Sequence, residues 1–212
     1  DYAFYGCSSI ESITLPASVN TIGKKAFYGC TGLTGINVDA SNKSLKSIDG
    51  VLYTSNTLIA CPAGKTGTVT IPGGITTIAS FAFGSCSVTS VTVPADVDSI
   101  FHDAFDDCAG LTAINVAADN NDYKSVDGVL YNKAMTELII CPEGKTGAIT
   151  VADGVERIEY SFSGCGKLTS IILPQSIKYM VRPSEGCVSL TSVTVNAAAP
   201  PDLYSHDVFS DA

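Results

Sequence analysis

The sequence predicts a β-rich α/β solenoid of about eight coils, with parallel strands stacked in a sheet and short helical turns or β-hairpins on the other side. Three observations carry this reading. Strand-like segments begin every 22 or 23 residues, an Ala-Phe-x-x-Cys turn recurs beside them, and two longer intervals of 33 and 35 residues match each other almost residue for residue. A period in the twenties is the mark of a chain whose units bury their apolar edges against their neighbours.

The strands come first. In Ala82 to Ile100 (AFGSCSVTSVTVPADVDSI), Val91 and Val93 fall on one face and Ser90 and Thr92 on the other, the alternation of a half-buried strand. Pro94 stops that strand, and Val97 and Ile100 supply a third row of core residues. The same unit gives eight strand cores: Ile13–Leu15, Ile36–Val38, Val69–Ile71, Val91–Val93, Ile114–Val116, Ile149–Val151, Ile171–Leu173 and Val193–Val195.

The turns follow. Ala3-Phe4-Tyr5-Gly6-Cys7 returns as Ala26–Cys30, Ala82–Cys86, Ala104–Cys108 and, with Ser first, Ser161–Cys165. Phe and Cys stand three apart, one helical turn, so both can face inward. Burying each Phe contributes roughly 1.5–3 kcal/mol, and a ladder of stacked Phe is the expected spine. Cys7, Cys30, Cys86, Cys108, Cys165 and Cys187 share one slot of the repeat, and Cys61 and Cys141 share another. Side chains in one slot run parallel up one wall, which is poor geometry for a disulfide; buried free thiols acting as small hydrophobes are expected.

The two long intervals contain SLKSIDGVLYTSNTLIACPAGKTGTVTIP and DYKSVDGVLYNKAMTELIICPEGKTGAITV. DGVLY and LIACP, or LIICP in the second copy, read as paired strands replacing the Phe-containing turn. The two extra residues of the second copy fall at the hairpin tip between Tyr131 and Leu138. A super-repeat of about 79 residues results, and residues 1–212 read as a single continuous domain. The last coil departs from the pattern, with Arg182-Pro183-Ser184-Glu185 where Ala-Phe is expected and Ala199-Pro200-Pro201 after it. Asp207-Val208-Phe209 looks like one further turn. The chain opens in mid-repeat, without Met or a signal peptide and without capping units, as expected of a fragment trimmed at both ends.

Together the LTSVTVP-like strands, the following V-x-x-I and the A-F-x-x-C turns resemble the leucine-rich repeats of the BspA-like bacterial surface proteins, and the DGVLY…CP.GKTG insert is similar to one in the same group. The resemblance spans essentially all of the chain. It implies a right-handed, curved leucine-rich-repeat solenoid, secreted or on a bacterial cell surface, with adhesion or protein binding as its role. A host or extracellular-matrix protein is the implied partner. No recognition residue is set by the motif.

Composition narrows the chemistry. A net charge of −9, with Lys24-Lys25 as the densest positive stretch, argues against nucleic acid and anionic membranes. No segment approaches the roughly 18 apolar residues of a membrane helix, so no direct membrane insertion is expected. GKTG at Gly64–Gly67 and Gly144–Gly147 resembles a phosphate loop, but Ile59 and Ile139 stand where its first Gly is needed, and a strand follows instead of a helix. The reading preferred is a tight turn. His102, Asp103 and Cys108 could be imagined as base and nucleophile, yet a cysteine in a repeated core slot lacks the electropositive setting that activates a thiol. His102 and His206 are the only histidines and stand far apart, so neither histidine catalysis nor zinc is expected. Asp103, Asp106 and Asp107, and then Asp119, Asn120, Asn121 and Asp122, offer oxygen ligands suited to calcium, but without EF-hand spacing; a solvated acidic patch is the plainer reading. No catalytic residue, metal or cofactor is assigned.

Two surfaces remain for binding. The outward strand face, including Thr70, Ser90, Thr92 and Asn115, is small, polar and uncharged; it is either a flat binding surface or merely solvated. Tyr5 and Tyr28, following core Phe residues, and Tyr53 and Tyr131 at the hairpins are stronger anchors, since protein hot spots favour Trp, Tyr and Arg and the chain has no Trp. The hairpin tyrosines either project as recognition loops or pack over the neighbouring coil. Three functions stand: an adhesin-like protein-binding module, a structural spacer displaying another domain, and a glycan-binding module.

Overall fold

The structure, a computed structural model, describes residues 1–203, and its contacts divide the chain into two compact units, Asp1–Gly110 and Leu111–Ala212. The turn expected at Asp207-Val208-Phe209 lies outside the described residues. Each unit is a parallel-strand solenoid, and the described residues make about nine turns in all. All eight expected strand cores are present.

In the first unit the strands are β1 (Ser12–Leu15), β2 (Gly35–Val38), β3 (Lys46–Ile48), β4 (Val51–Tyr53), β5 (Thr57–Ala60), β6 (Gly67–Thr70), β7 (Thr77–Ile78), β8 (Val88–Val93) and β9 (Ser99–Ile100). The second holds β10 (Ala113–Val116), β11 (Tyr123–Val126), β12 (Val129–Asn132), β13 (Glu137–Ile140), β14 (Gly147–Thr150), β15 (Arg157–Glu159), β16 (Leu168–Leu173), β17 (Tyr179–Val181), β18 (Ser192–Val195) and β19 (Asp202–Leu203).

Each unit has two rows of parallel strands. The first row pairs β1 with β2 and β6 with β8 in one unit, and β14, β16 and β18 in the other. Its register places Ile13 beside Ile36, Val69 beside Val91 and Ile171 beside Val193, so inward residues stack on inward residues. The second row runs along the V-x-x-I segments, expected only as a line of core side chains. Their extended residues pair with the next coil as β5-β7-β9 and as β13-β15-β17-β19. Two or three residues per coil make a strand here because the neighbouring coil supplies the partner groups.

The expected hairpins are present, with Tyr53 opposite Leu58 and Tyr131 opposite Leu138. The longer second copy accommodates its two extra residues at the tip, as expected. Each hairpin also gains a third antiparallel strand, β3 against β4 and β11 against β12.

The short turns are not helical: among the described residues no helix occurs. Each closes with bonds three residues apart, such as the Tyr5 amide to the Tyr2 carbonyl (3.2 Å) and Cys7 to Phe4 (3.0 Å). In four of these turns two residues lie in the left-handed region, Tyr2 and Gly6, Lys25 and Gly29, Phe81 and Ser85, Tyr160 and Gly164, and in the Ala104–Cys108 turn Asp107 does. That alternation stops a right-handed helix from propagating.

The core follows the slots. Phe4 stacks on Phe27 at 5.7 Å between centroids and Phe83 on Phe105 at 4.9 Å. The hairpin coil between those pairs has no Phe and buries Val51, Leu52 and Tyr53 instead. In the last coil Phe is missing, yet the backbone continues: the Phe162 and Gly164 amides donate to the Pro183 and Glu185 carbonyls (2.9 and 2.8 Å). All eight cysteines are free, and seven are buried. Their slot has a hydrogen-bonding reason as well as a packing one. The thiols of Cys30, Cys108 and Cys187 donate to the carbonyls of Phe4, Phe83 and Phe162 one coil back, at 2.9, 2.8 and 3.2 Å.

Two predictions follow from these ladders. Phe83→Ala should cost about 3–5 kcal/mol in urea or thermal unfolding. Cys108→Ser should retain the bond to Phe83 and cost less, by about 1 kcal/mol or below, than Cys108→Val, which removes the thiol bond and leaves that carbonyl with the Cys86 amide alone (2.9 Å); equal losses in the two variants would assign the slot to packing alone.

Candidate functional site

Burial separates the expected anchors. Tyr53 and Tyr131 are each 1% exposed and lie in the core. They pack inside the hairpin coil, which corrects the expectation that they present a surface. Burial is also the main reason both phenols are pushed above their usual pKa. The strand-face residues stay at the surface: Thr70 is exposed beside half-buried Thr92, and Ser90 stands beside Thr68. Asn115 is exposed on β10 in the second unit.

Tyr5 and Tyr28 belong to an aromatic line along the turns of the first unit. Tyr5, 52% exposed, lies parallel to Tyr28 at 5.6 Å, with Tyr2 tilted against its other side at 5.6 Å. Tyr28 then meets the edge of Phe81 at 5.9 Å. The Lys25 ammonium sits 4.0 Å from the Phe81 centroid and 4.6 Å from that of Tyr28, and the Lys24 ammonium 4.9 Å from Phe81. Tyr2, Lys25 and Phe81 occupy equivalent positions, just before Ala-Phe, each with φ between 54° and 58°. Bulky residues in that conformation are uncommon and cost free energy. Sequence reading missed Tyr2, Phe81 and the exposed Phe101; for Tyr2 and Phe81 the position before Ala-Phe was the signal available.

Tyr28 also reaches across coils. Its hydroxyl donates to the Asp107 carboxylate, and its ring passes so close to Gly84 that a Cβ there would stand 2.6 Å from it. Burial, and then the bond to Asp107, holds the phenol proton on well above the usual range.

Beneath this bridge is a notch of about 540 Å³. One wall is the Lys24–Tyr28 turn, the floor is Ile59, Ala60 and Cys61, and the far wall comprises Ser80, Phe81 and residues 101–103. It exists because the hairpin coil has no turn of its own at this edge. In the second row, β4 occupies the side of β5 opposite β7, so Val19–Ile22 of the preceding coil joins no strand.

The far side is acidic. Asp103 accepts a bond from Ser80 Oγ through Oδ2 (2.6 Å), while its buried Oδ1 has no partner. Asp106 is pushed up to about 6, first by burial and then by the charges of Asp103 and Asp107.

Other motifs resolve into structural parts. Lys65 of GKTG bonds the Asp49 carbonyl at 2.8 Å and its carboxylate at 3.1 Å, and Lys145 does the same to the Asp127 carbonyl. The motif ties the end of the insert to its start. Asn120 is wholly buried and accepts from the Asp122 and Tyr123 amides at 2.9 and 2.7 Å; Asn42 does so from Ser44 and Leu45 at 2.9 Å each. Among the described residues no group of three or more His, Cys, Asp or Glu is placed to hold a metal. The Cys108 thiol is buried and committed to the Phe83 carbonyl.

Comparison places this geometry among known proteins. The family model described as the BspA type leucine rich repeat region matches residues 1–60, 63–146 and 141–200, with six copies. No curated protein matches the chain. Its fold is similar to a leucine-rich repeat protein of Eubacterium ventriosum (TM-score 0.62, 22% identity, covering 93% of this chain and 57% of that one). It is also similar to the pneumococcal vaccine antigen PcpA (TM-score 0.53, 20% identity, 88% and 40%). The chain thus spans about half the length of these solved structures, and the likeness is one of fold.

Two measurements probe the site. Asp106 has its pKa raised on folding, so its contribution to stability is present below the ordinary value of 3.8 and is lost as pH rises through about 6. Asp106→Asn should therefore flatten the fall in melting temperature between about pH 4 and 6.5. Gly84→Ala should force Tyr28 from its seat and raise tyrosine exposure in the near-ultraviolet spectrum, leaving far-ultraviolet signal intact.

Proposed function

This chain belongs to the BspA-type leucine-rich repeat family, and from that premise we propose that it works as a protein-binding module at a bacterial cell surface or outside the cell, adhesin-like and without catalysis. The partner proposed is a host or extracellular-matrix protein. The observation that carries the reading is the aromatic line of exposed Tyr2 and Tyr5 and half-buried Tyr28 and Phe81, backed by lysines, on one edge of the first unit. Aromatic side chains give much contact area at low entropic cost and dominate binding energy at protein interfaces. The strand face, small and polar, supplies a flanking surface with few anchors.

A second reading, glycan binding, is favoured by one feature: Tyr2 and Tyr5 put exposed aromatic surface, 54% and 52%, at the end of this line. Binding of the purified chain to immobilised fibronectin, fibrinogen, collagen and mucin tests both readings. Saturable binding to one of the three matrix proteins, weakened about tenfold or more by Tyr5→Ser with an unchanged melting curve, is the result expected. Binding to mucin alone, abolished by deglycosylation, would transfer the assignment to glycans. No binding to any of the four would leave the spacer role as the better account.

A further inference from the structure

We propose that the notch beneath Tyr28 is a main-chain docking site for an extended acidic peptide segment of a partner protein. The proposal rests on the protein-binding reading and gives it a second point of contact. It begins with the bonds between successive turns. In the first coil, the Tyr2, Phe4 and Gly6 amides donate to the Lys24, Ala26 and Tyr28 carbonyls of the next coil, each at 2.9 Å. Phe81, Phe83 and Ser85 donate to Asp103, Ala104 and Asp106 at 3.2, 2.8 and 3.0 Å, and Tyr160, Phe162 and Gly164 do so to Val181, Pro183 and Glu185 at 3.0, 2.9 and 2.8 Å. The corresponding donors in the coil before the hairpin are Lys25, Phe27 and Gly29. Among the described residues these three amides meet no acceptor. Across the notch, the Cys61 amide bonds onward to the Ala82 carbonyl (2.6 Å) and turns away from them.

Backbone donors left without a protein partner in a notch are left to water, and replacing that water by a peptide carbonyl gains about 0.5–1.5 kcal/mol per bond; Lys25 and Phe27 both line the notch. Donors at alternate residues require acceptors at alternate residues, which the carbonyls of an extended peptide provide, as in strand addition to an open sheet edge. The notch volume of about 540 Å³ accommodates a few residues. Lys24 and Lys25 stand on its rim and form no ion pair among the described residues, in a chain of net charge −9. They select an acidic side chain. The opposite wall carries the Asp103 carboxylate, which disfavours an acidic side chain there and so sets the peptide's direction.

Hydrogen exchange on the whole 212-residue chain tests the free state first. The Lys25, Phe27 and Gly29 amides should exchange about a hundredfold faster than those of Phe4, Gly6, Phe83 and Ser85. Terminally blocked hexapeptides carrying Asp at two alternate positions in a Val/Thr background are then added, with a Lys-substituted set as the control. The acidic set should slow the three amides about tenfold or more, and the Lys set should not. Lys24→Glu should remove that protection, as should Ala60→Trp, which fills the floor; Lys24, being exposed, keeps the test open should Ala60→Trp fail to fold. Slow exchange in the free chain, equal protection by both peptide sets, or no protection by either overturns the proposal. Protection by mucin oligosaccharides alone, or one that rises with chain concentration without peptide, assigns the notch to a glycan or a second copy and also overturns it. A matrix protein that binds Ala60→Trp as tightly as the original chain sinks the notch but spares the adhesin reading. Peptide protection without any matrix protein binding does the reverse.

Discussion

Everything in this molecule depends on one repeated constraint: each coil must satisfy its backbone amides with the carbonyls of the coil beside it. Parallel strands about 4.8 Å apart leave no freedom in the stacking direction, so residues in one slot necessarily meet their equivalents. Phe meets Phe, the row-one Val and Ile residues align, and the cysteine thiol finds the carbonyl one coil back. A slot therefore selects a residue for its fit to its own copies. That is why Cys, small, apolar and able to donate weakly, recurs there without becoming a disulfide or a nucleophile.

The inserts are where the constraint is broken. A hairpin bonds to itself on one side and to the next coil on the other, so it continues the stack forward while failing to complete the coil behind. β4 shields β5, the preceding V-x-x-I segment finds no strand, and the turn before it keeps unused donors. Lys65 repairs part of the discontinuity by fastening the insert to its own start, and the Asn42 amide by donating to the Pro16 and Val19 carbonyls of the preceding coil. What is left unrepaired is the notch. In a fold made of repetition, the irregular coil is the one with chemistry to spare.

Much of this was legible beforehand. The repeat period, the eight strand cores, the hairpins and their tip were readable because side-chain alternation and spacing report directly on pairing. The second row of strands was not, since two extended residues carry no period and acquire strand character only from the neighbouring coil. Tyr53 and Tyr131 illustrate the same limit: their position in a hairpin is visible in sequence, but whether an aromatic ring faces solvent or core depends on which strand covers it. Phe81 went unnoticed for the opposite reason. It precedes the Ala-Phe pair, where the left-handed backbone turns a side chain away from the core its neighbours enter.

The Tyr28 bridge alters how the first unit resists force. Solenoid contacts join nearest neighbours, which lets such a stack come apart one layer at a time from an end. A side chain leaving one turn, crossing Gly84 and gripping Asp107 ties together residues 79 apart in sequence. Pulled from its N-terminus, the stack cannot peel past that point until the clasp lets go, so the layers between Tyr28 and Asp107 resist as a block.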